Sequence, residues 1–228
     1  MPIVRGAVLL LWVSLLAGCA GSRLADEPAP GVNLAGAWRL DHSASDDPQK
    51  VLDQMRAEAL KIIARQTQQV AMPARGGRQG SAQENGPDPA LGQPPPPGAH
   101  FDPLRRSPMA HVLQNMVARG DFLTVRQGPG EFVLDYGTSR RTFTPGQHSV
   151  VSAEGGVGDQ TSGWKGRAYV IEVKAQNGPA MSEEYELSAD GKQLVAKLHI
   201  GSSELPAVNL TRVYRPTDQA PQPLPVND

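Results

Sequence analysis

Short runs of alternating apolar and polar residues fill most of the chain after Gly120, and no other feature constrains the fold as strongly. In one run Tyr169, Ile171 and Val173 share a face, and a period of two residues is typical of a β-strand with one face buried. The runs cover residues 122–127, 131–136, 140–143, 149–153, 161–165, 167–175, 182–187, 193–200 and 209–214. Turn-forming residues separate them, as expected of successive hairpins. A short segment around Trp38 predicts one further strand.

This succession of strands predicts a mainly β fold built as an antiparallel meander. A long meander exposes two edge strands unless the sheet curls or closes. We therefore expect a small antiparallel barrel or a strongly curved sheet, formed by one domain over residues 34–216. The short segment 217–228 is predicted to be a disordered tail.

Composition limits the regular structure and the class of partner. The 228 residues include 24 glycines and 21 prolines, which disfavour helix and strand interiors, so much of the chain outside the strands is loop. With 22 basic and 23 acidic residues, the formal net charge is −1. This balance lacks the basic surface expected of a nucleic-acid-binding protein.

Two segments before the meander have helical periodicity. Apolar residues recur at three- and four-residue steps in residues 48–69, after the capping candidates Asp46 and Asp47, and Pro48 suits a first helical turn. A second amphipathic helix is predicted at 108–119, ended by Gly120. Between them, residues 70–105 are rich in proline and glycine and poor in large aliphatic side chains. Such a segment buries too little apolar area to offset its ordering entropy, so a disordered insertion is expected.

The N-terminus has the pattern of a secretory signal. Arg5 precedes an apolar stretch at residues 7–16, which is too short to span a bilayer. The next residues, Leu16, Ala17, Gly18 and Cys19, resemble the lipobox of bacterial lipoproteins. In that family of signals the cysteine thiol is lipidated and the chain is cut just before it. The resemblance implies a signal peptide at 1–18 and lipidation of Cys19.

The same resemblance implies a cellular location. Ala20 follows the cysteine, whereas an aspartate at that position is associated with retention in the inner membrane. We therefore expect the outer membrane, with the protein held on its periplasmic face by acyl chains. Residues 19–33 contain Pro28, Pro30 and Gly31 and are predicted to be a flexible tether between lipid and domain.

A second resemblance concerns the ends of the meander. Gly36, Ala37 and Trp38 on the first strand, with Arg212 and Arg215 near the last, resemble the lipocalin-like pattern. In that pattern an arginine from the final strand covers a Gly-x-Trp tryptophan at one end of the barrel. The resemblance implies a structural cation–π closure between Trp38 and Arg212 or Arg215. The helices and Pro-rich insertion after the first strand depart from the family.

Few residues have the spacing that catalysis or metal binding requires. Asp41, His42 and Ser43 are adjacent, so their side chains point to opposite faces and cannot form a relay. Glu183 and Glu184 likewise face opposite sides of one strand and are not an acid–base pair. The histidines lack ligand neighbours at helical or hairpin spacing, so no metal site and no cofactor is predicted. The histidines are His42, His100, His111, His148 and His199.

One aromatic residue is the strongest candidate for a ligand contact. Trp164 lies between Gly163 and Gly166, and glycine neighbours allow close approach to an indole. Tyr169 and Tyr185 could line the same cavity. The alternative is that Trp164 belongs to the core, which is common for a strand aromatic. A further glycine cluster, at residues 155, 156 and 158, is interpreted as a long hairpin loop rather than a phosphate loop.

These observations favour a non-catalytic binding or interaction module at the outer membrane. Its partners would be the membrane, through the acyl chains, and a small apolar ligand or an envelope protein. One alternative is a structural envelope protein in which the Pro-rich insertion reaches a partner in polyproline form. Another is an enzyme whose site is assembled from distant strands, with His148, Glu172 or Asp135 as hypothetical participants.

Overall fold

The computed structural model of the chain describes residues 24–71 and 102–219. Within these ranges ten strands form one antiparallel sheet, accompanied by two helices. The elements are β1 (Gly36–Leu40), α1 (Pro48–Ala71), α2 (Pro108–Val117), β2 (Phe122–Gly128), β3 (Glu131–Asp135), β4 (Arg140–Phe143), β5 (His148–Ala153), β6 (Gly156–Lys165), β7 (Ala168–Ala175), β8 (Ala180–Leu187), β9 (Leu194–Gly201) and β10 (Val208–Pro216). The predicted mainly β class with two helices is confirmed.

The sheet is a meander that curls into an open half-barrel. Its spatial order is β4-β3-β2-β1-β10-β9-β8-β7-β6-β5, so the first strand pairs with the last. The two edge strands, β4 and β5, are consecutive in the chain, and among the described residues no ladder joins them. Curling brings strands far apart in the order into contact across the interior: Phe143 of β4 packs against Tyr169 of β7. We call the gap between β4 and β5 the seam.

Aromatic side chains fill one end of the concave face. The ring of Phe132 stacks on Tyr169 with centroids 3.7 Å apart, and Trp164 meets both rings edge-on. All three residues are buried. Strand alternation places these side chains on one face, so their burial supplies much of the apolar stabilisation of the barrel.

The two helices occupy the other end of the same concave face. Leu198 of β9 and Leu210 of β10 lie under Leu113 of α2, and α1 adds Met55 to this second apolar cluster. Helix α2 begins at Pro108, and the hydroxyl of the preceding Ser107 accepts a hydrogen bond from the Ala110 N–H, as an N-cap does. The helices therefore pack against one end of the concave face.

Three sequence predictions need correction at their boundaries. Residues 24–33 do not extend freely as predicted for the tether: Ala25 exchanges two backbone hydrogen bonds of 2.8 Å with Trp164, and Val32 is buried. Leu104, assigned to the disordered insertion, is buried with the helices. Strand β6 begins at Gly156, so the predicted long loop there is a tight turn. Backbone pairing with β6 and burial of Val32 explain the first difference, and burial of Leu104 against the helices explains the second.

Several predictions fall outside the described residues. These are the signal peptide at 1–18, the lipidated Cys19, most of the insertion and the end of the tail. Of the predicted tail, Thr217 donates its N–H to the Ala37 carbonyl at 2.9 Å and so continues the pairing of β10 with β1. In the described part of the chain, neither helix is long and apolar enough to cross a membrane.

The segment at residues 24–29 makes a glycine on β6 sensitive to substitution. A Cβ on Gly163 would lie 2.6 Å from the Ala25 carbonyl oxygen and 2.9 Å from the Gly146 nitrogen. Because backbone atoms cannot move aside as side chains do, we expect Gly163→Ala to lower the free energy of unfolding by about 1–3 kcal/mol. Urea denaturation measures the effect. Gly128→Ala is the control, since a Cβ there meets no atom within 4 Å, and an equal loss at both positions would contradict the prediction.

Candidate functional site

A buried cluster of charges lies at the centre of the concave face. The carboxylate of Glu183 on β8 is 1% exposed and accepts hydrogen bonds from two arginines. Arg119 donates from Nη1 to Oε2 at 2.9 Å, and Arg141 donates from Nη1 to Oε1 at 2.7 Å. The Tyr185 hydroxyl donates to Oε2 at 2.6 Å. The hydroxyl of Tyr136, 2.9 Å from that of Tyr185, extends the network.

Different elements bring the two arginines to this carboxylate. Arg141 lies on edge strand β4, and its guanidinium carbon is 5.0 Å from the centroid of the Phe143 ring. Arg119 lies just beyond the C-terminus of α2. That helix end is held by a third arginine, Arg212 of β10, which donates to the carbonyls of Met116 at 3.1 Å and Gly120 at 2.8 Å. A cation at a helix C-terminus is favourable, so Arg212 stabilises the docked helix that presents Arg119.

The cluster stays charged at neutral pH. Burial alone would raise the pKa of Glu183, but Arg141 and Arg119 beside it, with the Tyr185 hydroxyl, hold the pKa well below its usual range. Burial and the neighbouring Glu183 carboxylate both raise the pKa of Tyr185, so that phenol stays protonated and donates. Two guanidinium groups and one carboxylate leave the cluster with one net positive charge.

An open cleft of about 410 Å³ reaches this cluster through the seam. Arg119 of the helix side and Arg141 of β4 lie in its wall, together with Gln160 of β6. The two arginine side chains are 15% and 21% exposed, so part of each guanidinium faces the cleft. The rest of the wall is formed by the polar residues Asn115, Ser152 and Glu154 and by six apolar residues: Val112, Val151, Ala153, Val173, Pro179 and Met181. The cleft thus combines apolar side chains with two arginine side chains.

The rim of the cleft is formed where helix α2 meets the turn between β5 and β6. Glu154 in that turn accepts a hydrogen bond from the Asn115 side-chain amide at 3.2 Å. Its other oxygen lies 3.4 Å from Nδ1 of His111. Glu154 is therefore engaged at the rim by two side chains of α2, while Arg119 and Arg141 lie deeper.

The three aromatic residues predicted to contact a ligand lie together in the core. Trp164 and Tyr169 have ring centroids 5.1 Å apart, and Tyr185 pairs with Tyr169 in the β7–β8 ladder. None of these three aromatic residues lines the seam cleft. Tyr185 reaches the site indirectly, through its hydrogen bond to Glu183. Their role as ligand contacts stays a prediction.

The predicted closure of Trp38 by an arginine is replaced by other contacts. Trp38 pairs with Pro216 of β10, and Arg212 lies four residues before Pro216 on the same face of the sheet. Its guanidinium carbon lies 5.5 Å from the centroid of the Tyr214 ring. Arg215 alternates to the other face and pairs with Asp41 at 2.6 Å. The Trp38 indole N–H donates to the Leu34 carbonyl at 3.2 Å. Arg212 is therefore bonded to the end of α2, and Arg215 lies on the opposite face of the sheet from Trp38.

The hypothetical catalytic residues are not assembled into one site. His148 of β5 and Glu172 of β7 flank Thr161 of β6 and line one cleft of the convex face, where His148 lies 3.5 Å from Asp159. Asp135 lies elsewhere, bonded to Arg140. His42 contacts Asp121, and Asp41 holds the Ser43 hydroxyl in a turn. In residues 24–71 and 102–219, no group of three metal-ligating side chains comes together.

Sequence reasoning missed the residues of the central cluster. From the sequence, Glu183 was considered only with Glu184, as a possible acid–base pair. The available signal was its position: it shares the inward face of β8 with Tyr185, where an apolar residue is expected. An acid at such a position needs a buried cationic partner, which pattern analysis alone does not identify.

Comparison with known proteins finds resemblance only among solved structures. No protein-family model matches the chain, and no curated protein matches it. A protein described as "REP1-NXSQ fatty acid transporter" is 14% identical, over 82% of this chain and 98% of that chain, with a TM-score of 0.42. A fatty acid-binding protein from brain tissue of Drosophila melanogaster is 19% identical, over 41% of this chain and 70% of that chain, with a TM-score of 0.33. Secretory abundant heat soluble protein 4 from Ramazzottius varieornatus is 14% identical, over 42% and 68%, with a TM-score of 0.31. These likenesses concern the fold alone.

Proposed function

We propose that this protein is a non-catalytic binding module that holds an anionic ligand with apolar surface in the seam cleft. One observation carries the proposal: Arg119 and Arg141 face the cleft while sharing a single carboxylate, Glu183. An anionic group in the cleft would balance the remaining positive charge. Charge-assisted hydrogen bonds to arginine are among the strongest polar contacts available to a ligand.

The walls of the cleft support the apolar part of this ligand. Val151, Val173 and Met181 contribute aliphatic surface beside the arginines. Binding sites of this composition, mostly apolar with a few convergent polar groups, are typical of small-ligand pockets. The volume of about 410 Å³ is within the usual range for such pockets.

We also propose that the module is a lipoprotein anchored to the periplasmic face of the outer membrane. The support is the sequence Leu16-Ala17-Gly18-Cys19 followed by Ala20. Acyl chains on Cys19 would hold the domain at the membrane without a basic surface patch.

The anchor predicts a specific processing defect. In the chain with Cys19→Ser no thiol is present to accept a diacylglyceryl group, so the signal segment should stay uncleaved by the lipoprotein pathway. Mass spectrometry of the protein from a bacterial host should show loss of the acyl mass. Ser14→Cys in the Cys19→Ser background is a matched control, because it restores a thiol outside the lipobox and should not restore lipidation. Normal maturation of the serine variant would contradict the anchor.

The binding site predicts a charge-dependent affinity that decanoate can probe. Decanoate combines a carboxylate with an apolar chain, and we expect Arg141→Met to weaken its binding by about tenfold or more. Isothermal titration of the full chain measures the dissociation constant. The matched control is Arg140→Met, since Arg140 is the next residue on β4, faces away from the cleft and bonds Asp135.

Two further measurements make this test decisive. Decanol, with the same chain length and no charge, should bind equally to the wild type and to Arg141→Met. Arg141→Lys keeps a positive charge beside Glu183 and should retain part of the affinity for decanoate. Equal binding of decanoate to the wild type and to Arg141→Met would refute an anion site at the seam.

A further inference from the structure

The seam places two unpaired strand edges on either side of the cleft. β4 and β5 are joined only by residues 144–147, so they run in opposite directions from that connection. Each strand has a hydrogen-bonded neighbour on one side, β3 or β6, and within the described residues neither has one on the side that faces the seam. Backbone N–H and C=O groups on those free sides are available to a third strand.

The two edges differ in how they are protected. Edge strands usually carry charged residues or proline, which discourage pairing with other chains. β4 is four residues long and contains Arg140 and Arg141. β5 has the sequence HSVVSA, with no lysine, arginine, acid or proline, and none of its residues is buried. Val150 at its centre is 67% exposed. β5 therefore has the properties of an edge that is left open to a partner.

The chain itself adds a short extended segment to the sheet next to the end of β5. β6 continues past the end of β5, and there Ala25 pairs with Trp164 through two backbone hydrogen bonds of 2.8 Å. At Trp164 this extended segment lies in line with β5, on the same side of β6. It does not cover the other side of β5, which within the described residues has no pairing strand.

We propose that the ligand of the seam cleft is an extended peptide segment of a partner protein, which adds as a strand along β5. This inference rests on the proposed function, because it assigns the occupant of the same cleft. Strand addition supplies affinity through backbone hydrogen bonds and specificity through alternate side chains. A peptide of about four to six residues matches the lengths of β4 and β5.

The two faces of the seam define the pattern of that peptide. Side chains that point inward meet Arg141 and Arg119, which favours aspartate or glutamate. Side chains that point outward lie beside the exposed Val150, which favours β-branched apolar residues. The recognised segment is therefore an alternation of acidic and apolar residues. Charge complementarity with the arginines makes it an acidic peptide rather than a second copy of the neutral β5 edge.

The experiment uses the full chain and a fluorescein-labelled peptide of sequence TVDVDVT. Fluorescence anisotropy should detect binding, and amide hydrogen exchange should slow in β5. A peptide with the same side chains but methylated backbone nitrogens should bind about tenfold more weakly or not at all, because it cannot donate to the strand edges. The peptide TVNVNVT tests the acidic side chains without any change in the protein, so no folding defect can confuse the result.

Each outcome separates the peptide from the proposed anion site. If the methylated and unmethylated peptides bind equally, strand addition is overturned. If only decanoate binds, and its affinity depends on Arg141, strand addition is overturned while the anion site stands. If neither decanoate nor the peptide binds, both proposals fail. If β5 amides are protected without peptide in proportion to protein concentration, a second copy occupies the edge and the peptide proposal is overturned.

Discussion

A chain with Glu183→Leu is expected to lose about 3–5 kcal/mol of its free energy of unfolding. The substitution removes the carboxylate that Arg119 and Arg141 share in the barrel interior. Two guanidinium groups then remain half-buried without a counter-ion, and the Tyr185 hydroxyl loses its acceptor. Leucine fits the apolar surroundings, but its burial does not replace an ion pair whose partners stay in place. Urea denaturation followed by tryptophan fluorescence measures the loss.

Glu184→Leu is the matched control for this prediction. Glu184 is the next residue on β8, points to the convex face and approaches Lys197 only at 3.9 Å. Exposed ion pairs contribute little, so the change in the free energy of unfolding should stay within about 0.5 kcal/mol. Comparable losses at positions 183 and 184 would show that the buried cluster is not what stabilises the fold.

The pH dependence of stability gives an independent measure of the same cluster. Because the folded pKa of Glu183 is held below its ordinary value of 4.5, the carboxylate stabilises the fold at pH values above 4.5. Its contribution is lost as the pH falls below 4.5 toward the folded pKa, since the unfolded chain binds a proton that the folded chain does not. In Glu183→Gln no proton is taken up at this position. The free energy of unfolding of that variant should therefore fall less steeply between pH 4.5 and pH 3.

The strands could be predicted because their signal is local. The alternation in β7 and β9, and the turn residues between strands, place each element within a few residues of its position in the structure. Where β6 starts was missed because Gly156 and Gly158 resemble a loop, yet both pair with β5. The place of the helices on the concave face was not predictable, since an amphipathic stripe shows that a helix packs and not on which surface.

The candidate site escaped prediction because it is built from distant parts of the chain. Arg119 and Glu183 are 64 residues apart, and Arg141 and Glu183 are 42 residues apart. Only the curl of the sheet brings β4 over β8, and only the docking of α2 directs Arg119 inward. The aromatic residues singled out from sequence do come together, because their alternation on neighbouring strands is itself a local signal.

The second large effect is expected at the aromatic core, where Trp164→Ala should lower the free energy of unfolding by about 3–5 kcal/mol. Trp164 is 3% exposed and packs edge-on against Phe132, with ring centroids 5.6 Å apart. The segment at residues 24–29 is hydrogen-bonded to the Trp164 backbone, which limits how far the surroundings can collapse into the cavity left by the indole. Phe122→Ala is the control: Phe122 is only half-buried, beside Arg39, so its truncation should cost much less.

The same Trp164→Ala variant separates a core residue from a ligand contact. Trp164 lies outside the wall of the seam cleft, so at a temperature where the variant stays folded its affinity for decanoate should equal that of the wild type. A variant that keeps its stability but loses decanoate would instead make Trp164 a ligand contact, as its two glycine neighbours indicate. Loss of stability with unchanged affinity would assign those glycines to the packing of residues 24–29, since Gly163 contacts Ala25 and Gly166 accepts from the Ala29 N–H. The indole would then act on the binding site only by maintaining the barrel that holds Arg141 and Glu183 together.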